Sequence, residues 1–253
     1  MRILLSNDDG IHAPGMAALE RIAATLSDDV WVVAPSKDAS GTARSLTLTR
    51  PLRLQRFGER RWAVNGTPSD AVMMALAELM KDARPDLILS GVNRGGNLAE
   101  DCFYSGTVAA AMEGALAGVP SVALSQVYRK GGGQGVSFAC AEGWAERVLA
   151  PVLAAPLSPR TLLNVNFPPL ASEAVRGIRV CAQGLRDYGR VRFDRREDPR
   201  GFPYYWLALG RAAHVPGVAS DLDAIEEGYV SVTPLHLDLT HAPSLTTLGQ
   251  AFG

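Results

Sequence analysis

Apolar positions follow two rhythms along the chain. Short unbroken runs recur at Ile3-Leu4-Leu5, Val30 to Ala34, Leu87-Ile88-Leu89 and Val122 to Leu124, and Leu162-Leu-Asn-Val-Asn-Phe167 reads as a further strand ended by Pro168-Pro169. Runs of this length without alternation predict strands buried on both faces. Between them the spacing turns helical. Met16, Leu19, Ile22, Ala23 and Leu26 fall on one face over residues 15–26, behind Pro14 at the helix entrance. Further helices are predicted over 71–80, capped by Thr67 or Ser69, over 105–116 with Ser105 as N-cap and an end near Gly118, and over 140–153 as a surface helix. Strand, helix and strand within the first 35 residues form a βαβ unit, so the sheet is expected to be mostly parallel with right-handed crossovers. Residues 46–64 alternate instead, which predicts a small hairpin with one wet face, its Arg53, Arg56, Arg60 and Arg61 in solvent.

Beyond residue 177 the βαβ rhythm is lost. Ile178-Arg-Val is followed by a basic stretch from Arg186 to Arg200 and by Tyr204-Tyr-Trp206, read as extended arms. Asp221 to Glu227 is a short acidic helix stopped by Gly228, and Tyr229 to Thr233 is a final strand before Pro234. The reading is one α/β domain over residues 1–183 with a C-terminal extended arm over 184–253. Aromatics that no core element covers mark an interface, so the arm is expected to serve oligomerisation. Tyr128 to Gly135 reads as a flexible, glycine-rich loop.

Composition narrows the class. With 253 residues, 47% apolar and 20% charged, the chain is an ordinary globular one, long enough to bury a substantial core. A formal net charge of −1 argues against a nucleic-acid polymer or a membrane surface as partner. No apolar run can span a bilayer, and the first residues enter a strand without a basic n-region. Cys102, Cys140 and Cys181 are odd in number and widely spaced, which points to packing thiols in a reducing compartment. The expectation is a cytoplasmic enzyme or binding protein.

Candidate chemistry gathers where strands end, since ligands of open α/β sheets bind at the carboxyl ends. The first strand breaks into Asn7-Asp8-Asp9-Gly10. Adjacent carboxylates raise each other's pKa, and a divalent cation with oxygen ligands relieves that cost. Gly10 makes the turn that both aspartates need to face one ion. The loop Ser36 to Ser45 would lie on the same rim with small hydroxyls beside glycine. The third strand runs into Gly91-Val-Asn-Arg-Gly-Gly-Asn97, which is neither a dinucleotide fingerprint nor a P-loop but places Asn93 and Asn97 among glycines. Ser105-Gly106-Thr107 opens a helix, with free N–H groups and two hydroxyls at its positive end, an anion site by construction. Taken singly, the first two stretches read as an ordinary Asp-Gly turn and a solvated loop, and the helix start reads equally well as a simple cap.

Their order is more specific. Ser6-Asn-Asp-Asp-Gly10, Ser40-Gly41, Ser90-Gly-Val-Asn93 with Asn97, Tyr104-Ser-Gly-Thr107 and Gly228-Tyr-Val-Ser-Val-Thr-Pro234 together resemble the SurE (survival protein E) family of metal-dependent nucleotidases, from Met1 to about Thr240. The resemblance implies a Rossmann-like core and one divalent ion per subunit, held by Asp8, Asp9, Ser40 and Asn93. It implies release of phosphate from nucleoside 5′- or 3′-monophosphates and often from short polyphosphate, in a homodimer or homotetramer with exchanged C-terminal arms. A ligand set without His or Cys suits Mg²⁺ or Mn²⁺. In that setting Asn97, Ser105, Gly106 and Thr107 are expected to bind the substrate phosphate, and Asp8 or Asp9 to take a proton from the attacking water. Two rivals stand beside it. A phosphatase working through an aspartyl-phosphate would want an Asp-x-Asp spacing that Asp8-Asp9 lacks. A nucleotide-sensing protein on the same fold would bind without turnover.

Overall fold

The computed structural model describes residues 1–128, 136–154, 157–186, 191–209 and 219–252. In chain order, the first half contains β1 (Arg2–Ser6), α1 (Pro14–Ala24), β2 (Asp29–Pro35), β3 (Leu54–Gly58), β4 (Arg61–Val64), α2 (Pro68–Met74), β5 (Leu87–Arg94), α3 (Gly106–Leu116) and β6 (Ser121–Gln126). The second half contains α4 (Ala139–Ala154), β7 (Thr161–Phe167), β8 (Ile178–Val180), β9 (Val191–Glu197), β10 (Pro203–Leu209), α5 (Asp221–Glu226), β11 (Val230–His236) and α6 (Ala242–Phe252).

Strand β1 sits near the middle of a nine-stranded sheet of order β3-β4-β2-β1-β5-β6-β7-β11-β8. The six strands from β4 to β7 run parallel, while β3 and β11 pair antiparallel with β4 and β7. Alternation along β1 splits the core in two. Ile3 and Leu5 join Met16, Leu19, Val148 and Leu149 under α1 and α4, whereas Leu4 joins Val72, Leu76, Ile88 and Ala110 under α2 and α3. The result is helices on both faces of a mostly parallel sheet, as expected. The chain leaves β1 for β2 on one side and returns to β5 on the other. The crevice at the carboxyl ends of β1 and β5 is therefore the switch point at which such sheets bind ligands.

Several elements differ from the sequence reading. The hairpin is shorter than 46–64, because Leu46 and Leu48 are exposed and find no partner strand. Arg61 is not a solvent residue: it pairs with Glu20 and donates to the Ile11 carbonyl at 2.8 Å. Thr67, not Ser69, caps α2, in a reciprocal capping box with Asp70. Helix α4 is amphipathic rather than merely superficial, burying Cys140, Ala141, Ala145, Val148 and Leu149. Pro234 does not end its strand. The N–H groups of β11 alternate sides, and Val230 donates to Gly177 on the β8 side. Pro234 faces that same side beyond the last β8 pair at Val232–Val180, where no N–H is needed.

The segment read as an arm from residue 184 is of two kinds. α5 and β11 belong to the sheet layer, with β11 inserted between β7 and β8. Strands β9 and β10 form a separate antiparallel ribbon whose Phe193, Tyr205, Trp206 and Leu207 are exposed. Helix α6, which the sequence reading missed, buries none of its residues. From residue 129 on, the expected loop 128–135 lies outside the described residues, as does 187–190 of the basic stretch. Among the described residues no helix is long and apolar enough to cross a membrane.

Candidate metal and phosphate site

Asn7 closes the turn after β1. Its Nδ2 donates to the Gly10 carbonyl at 2.9 Å and its Oδ1 accepts from the Gly10 N–H at 3.2 Å. Gly10 has φ +99°, and a Cβ there would stand 3.2 Å from the Lys37 carbonyl carbon, so glycine meets both a conformational and a steric demand. The turn sends the two carboxylates to different neighbours. Asp8 is buried and its Oδ1 accepts from the Thr107 hydroxyl at 2.6 Å. Asp9 lies at the end of β5, where its Oδ2 accepts from the Arg94 N–H at 3.3 Å.

The loop after β2 is tied to the same rim. Ala39 N–H donates to the Asp8 carbonyl at 2.8 Å, and Ser40 N–H donates to Asp38 Oδ1 at 2.8 Å. Further along, Arg44 pairs with Glu113 of α3 at 2.8 Å. Ser40 itself is exposed at the mouth. From β5, Asn93 donates its Nδ2 to the Gly95 carbonyl at 2.9 Å, which leaves its Oδ1 for a ligand.

Asn97 is held from all sides. Its N–H donates to Asn166 Oδ1 at 2.8 Å, its carbonyl accepts from Asn164 Nδ2 at 2.7 Å and Asn166 Nδ2 at 3.1 Å, and its Nδ2 donates to Ser125 at 2.8 Å. One Asn97 N–H remains for the cleft. Ser105 caps α3 by accepting from the Val108 N–H at 3.0 Å, and its own proton stays available. These residues surround a cleft of about 540 Å³ lined by Asp8, Ser40, Asn93, Asn97 and Ser105, with Arg94, Asp101, Tyr104 and Tyr128 completing the wall.

Gly106 and Thr107 stand behind the rim rather than on it. Both are buried. A Cβ at Gly106 would come within 2.7 Å of Asp8 Cβ and 2.9 Å of Pro68 Cγ, so glycine is what lets α3 approach the aspartate. The expectation that two hydroxyls face an anion is revised, because Thr107 gives its one hydroxyl proton to Asp8.

Charge at the rim is unbalanced. Burial, then the neighbouring charges of Asp9 and Asp38, push the Asp8 carboxyl up from 3.8 to about 6, against the Thr107 hydrogen bond. Asp9 is raised too, first by burial and then by Asp38, with the Arg94 N–H and charge opposing. Among the described residues no three His, Cys, Asp or Glu side chains gather to hold a metal. An ion here would therefore rest on two carboxylates supplemented by the neutral oxygens of Ser40 and Asn93. Hard oxygen donors next to unrelieved negative charge fit Mg²⁺ or Mn²⁺.

The asparagine network went unread in the sequence. Asn164 and Asn166 sit two apart in an otherwise apolar run, and two buried amides on one strand face were the available signal. The Thr107–Asp8 bond carried no signal of its own, since 99 residues separate its ends.

Known proteins share the chain's sequence and overall fold. Residues 3–190 match the family described as Survival protein SurE. A protein of Rhizorhabdus wittichii named 5′-nucleotidase SurE is 64% identical over 246 residues, covering 97% of each chain. A protein of the same name from Methylorubrum extorquens is 54% identical over 252 residues, covering 100% of this chain and 99% of its own. The crystal structure of SurE protein from Aquifex aeolicus superposes with a TM-score of 0.85 at 39% identity, covering all of both chains. By the match over residues 3–190 and by identity along nearly its whole length, the chain belongs to the SurE family.

Proposed function

We propose that the protein is a metal-dependent phosphomonoesterase that hydrolyses nucleoside 5′-monophosphates to nucleoside and phosphate, accepts 3′-monophosphates, and also acts on short-chain polyphosphate. The observation that carries this reading is one cleft at the sheet's switch point that brings the Asp8 carboxylate, raised by burial and by neighbouring Asp9, together with Ser40, Asn93 and the Ser105 cap of a helix N-terminus. The relatives' shared name, 5′-nucleotidase, supports the substrate class.

In this reading Asp8, Asp9, Ser40 and Asn93 hold one Mg²⁺ or Mn²⁺ per subunit. The ion, when bound, polarises the phosphoryl group and acidifies a water. The chain's own residues do the rest. Thr107 fixes the rotamer of Asp8 through its 2.6 Å bond. The Ser105 hydroxyl, the free Asn97 N–H and the first N–H groups of α3 receive phosphate oxygens as charge builds on them. Asp8 or Asp9 accepts the proton of the attacking water. We also propose a cytoplasmic homodimer or homotetramer, supported by the aromatics exposed on β9 and β10, with the C-terminal segment exchanged between subunits.

A panel of divalent ions against 5′- and 3′-monophosphates and short polyphosphate, read as phosphate release, tests the proposal. Release that requires an added ion and is abolished by EDTA is expected. Turnover undiminished in excess EDTA would refute the metal role. Tight nucleotide binding with no release under any ion would make the protein a sensor, and a trapped covalent phosphoenzyme would turn the mechanism to an aspartyl-phosphate.

A further inference from the structure

Between Asn97 and Ser105 the chain makes a short 3-10 turn, Ala99–Phe103, that carries part of the cleft wall, including Asp101 and Tyr104. A carboxylate on that wall is unexpected in a cleft read as receiving phosphate. Within the turn Ala99 and Cys102 are buried, and Cys102 packs with Val108, Ala111, Leu162 and Leu235. Phe103 is exposed, and Ala99 has φ +53°, a left-handed conformation that residues other than glycine seldom adopt.

The turn is held further by the segments that precede and follow the β9–β10 ribbon in the chain. From the preceding segment, the Arg186 guanidinium pairs with Asp101 Oδ2 at 2.7 Å and donates to the Leu98 carbonyl at 3.1 Å, while its backbone N–H donates to Glu100 Oε1 at 2.7 Å. Gln183 donates to the Ala99 carbonyl at 3.0 Å. From the following segment, Asp221 is fully buried at the start of α5 and accepts from Ala99 N–H at 2.8 Å through one oxygen and Gly184 N–H at 2.9 Å through the other. The two segments are joined to each other, Asp221 N–H donating to the Ala182 carbonyl at 3.0 Å.

We propose that Arg186 is a positioning residue of the cleft: it cancels the Asp101 carboxylate on the wall an anionic substrate meets and, together with Asp221, fixes the turn that carries that wall. Arg186 and Asp101 are only 22% and 32% exposed, so their pairing is less screened than that of a surface ion pair. Removing the arginine leaves a bare carboxylate facing phosphate. Removing both charges leaves no repulsion and no unpaired charge, and only the Leu98 carbonyl loses a donor. The inference rests on the phosphate reading of the cleft.

The experiment is calorimetric binding of inorganic phosphate to the Mn²⁺-loaded protein, with steady-state kinetics on a nucleoside monophosphate alongside. Arg186→Met should weaken phosphate binding roughly tenfold at low salt and by much less at 0.5 M salt, because added ions screen the bared carboxylate. KM should rise by the same factor while kcat moves by less than about twofold. Adding Asp101→Asn to that variant should restore affinity to within about threefold. Arg186→Lys, which keeps the charge, should fall between. If Arg186→Met melts well below the wild type, Arg186→Gln, which keeps a donor to Leu98, replaces it. Wild-type affinity in Arg186→Met, or in Arg186→Gln where it replaces it, overturns the proposal, as does a loss indifferent to salt or one that Asp101→Asn does not restore. Phosphate binding needs no turnover, so a wild type that binds phosphate but releases none from substrate refutes the enzymatic reading and leaves this one decided by its own titrations. A wild type that binds no phosphate refutes both.

Discussion

Replacing Asp8 by asparagine should have opposite effects on stability and on activity. In the metal-free protein the Asp8 carboxyl is raised from 3.8 to about 6, chiefly by burial. Since the folded-state value lies above the unfolded one, the carboxylate form opposes folding, and the penalty is fully present only above pH 6. At about 1.4 kcal/mol per tenfold, the charged group costs the fold about 3 kcal/mol at pH 8, about half of that at pH 5 and almost nothing below 3.8. An asparagine keeps an oxygen to accept the Thr107 hydroxyl and carries no charge. Asp8→Asn should therefore stabilise the EDTA-treated protein by roughly 2–3 kcal/mol at pH 8, or roughly 4–12 °C in Tm for a chain of this size. The gain should shrink steadily as the pH is lowered. With an ion at a hundred times its Kd, the wild type recovers about 2.7 kcal/mol and the variant does not, so the two curves should meet or cross. Turnover of Asp8→Asn should be lower by orders of magnitude throughout. Thermal melts in EDTA and in Mn²⁺ across pH 5 to 8 read all of this. A variant no more stable than wild type in EDTA at pH 8, or one whose advantage persists unchanged into acid, would refute the electrostatic account of the site.

Thr107→Val removes the 2.6 Å bond to Asp8 with little change of shape. It should lower kcat/KM roughly tenfold or more, on the order of 1–3 kcal/mol for a bond to a charged group, and raise the Mn²⁺ concentration for half activity; unchanged values of both would count against a positioning role. Gly106→Ala places a Cβ 2.7 Å from Asp8 and should cost roughly 1–3 kcal/mol in a thermal melt while nearly abolishing activity, and a fully active variant would deny the close approach of α3. Ser105→Gly should cost only a few tenths of a kcal/mol in stability, since glycine is nearly as good a cap, yet lower kcat/KM about tenfold and weaken inhibition by inorganic phosphate. Wild-type kinetics there would leave Ser105 a cap and nothing more.

Local pattern sufficed for most of the frame. Ile3 to Leu5, Val30 to Ala34 and Leu87 to Leu89 could be read as strands because burial on both faces leaves an unbroken apolar run. Ser105 could be read as a cap because the signal lies within three residues of its partner Val108. The rim residues were legible as a set because each follows a strand, and in a parallel sheet all those ends face one way. What sequence could not supply was the partnership of groups far apart along the chain. Thr107 looked like a phosphate donor until the fold set it against Asp8. Pro234 looked like a strand end until β8 proved too short to need its N–H. Helix α6 went unread, and its exposed Leu245, Leu248 and Phe252 find no cover among the described residues. Arg186 read as one charge in a basic stretch, and only tertiary structure set it beside Asp101. Short-range signals survive in sequence because the chain itself enforces the distance. A hydrogen bond or ion pair across 85 to 99 residues has no such enforcement, and only the packing of the sheet and its helices decides which side chains meet.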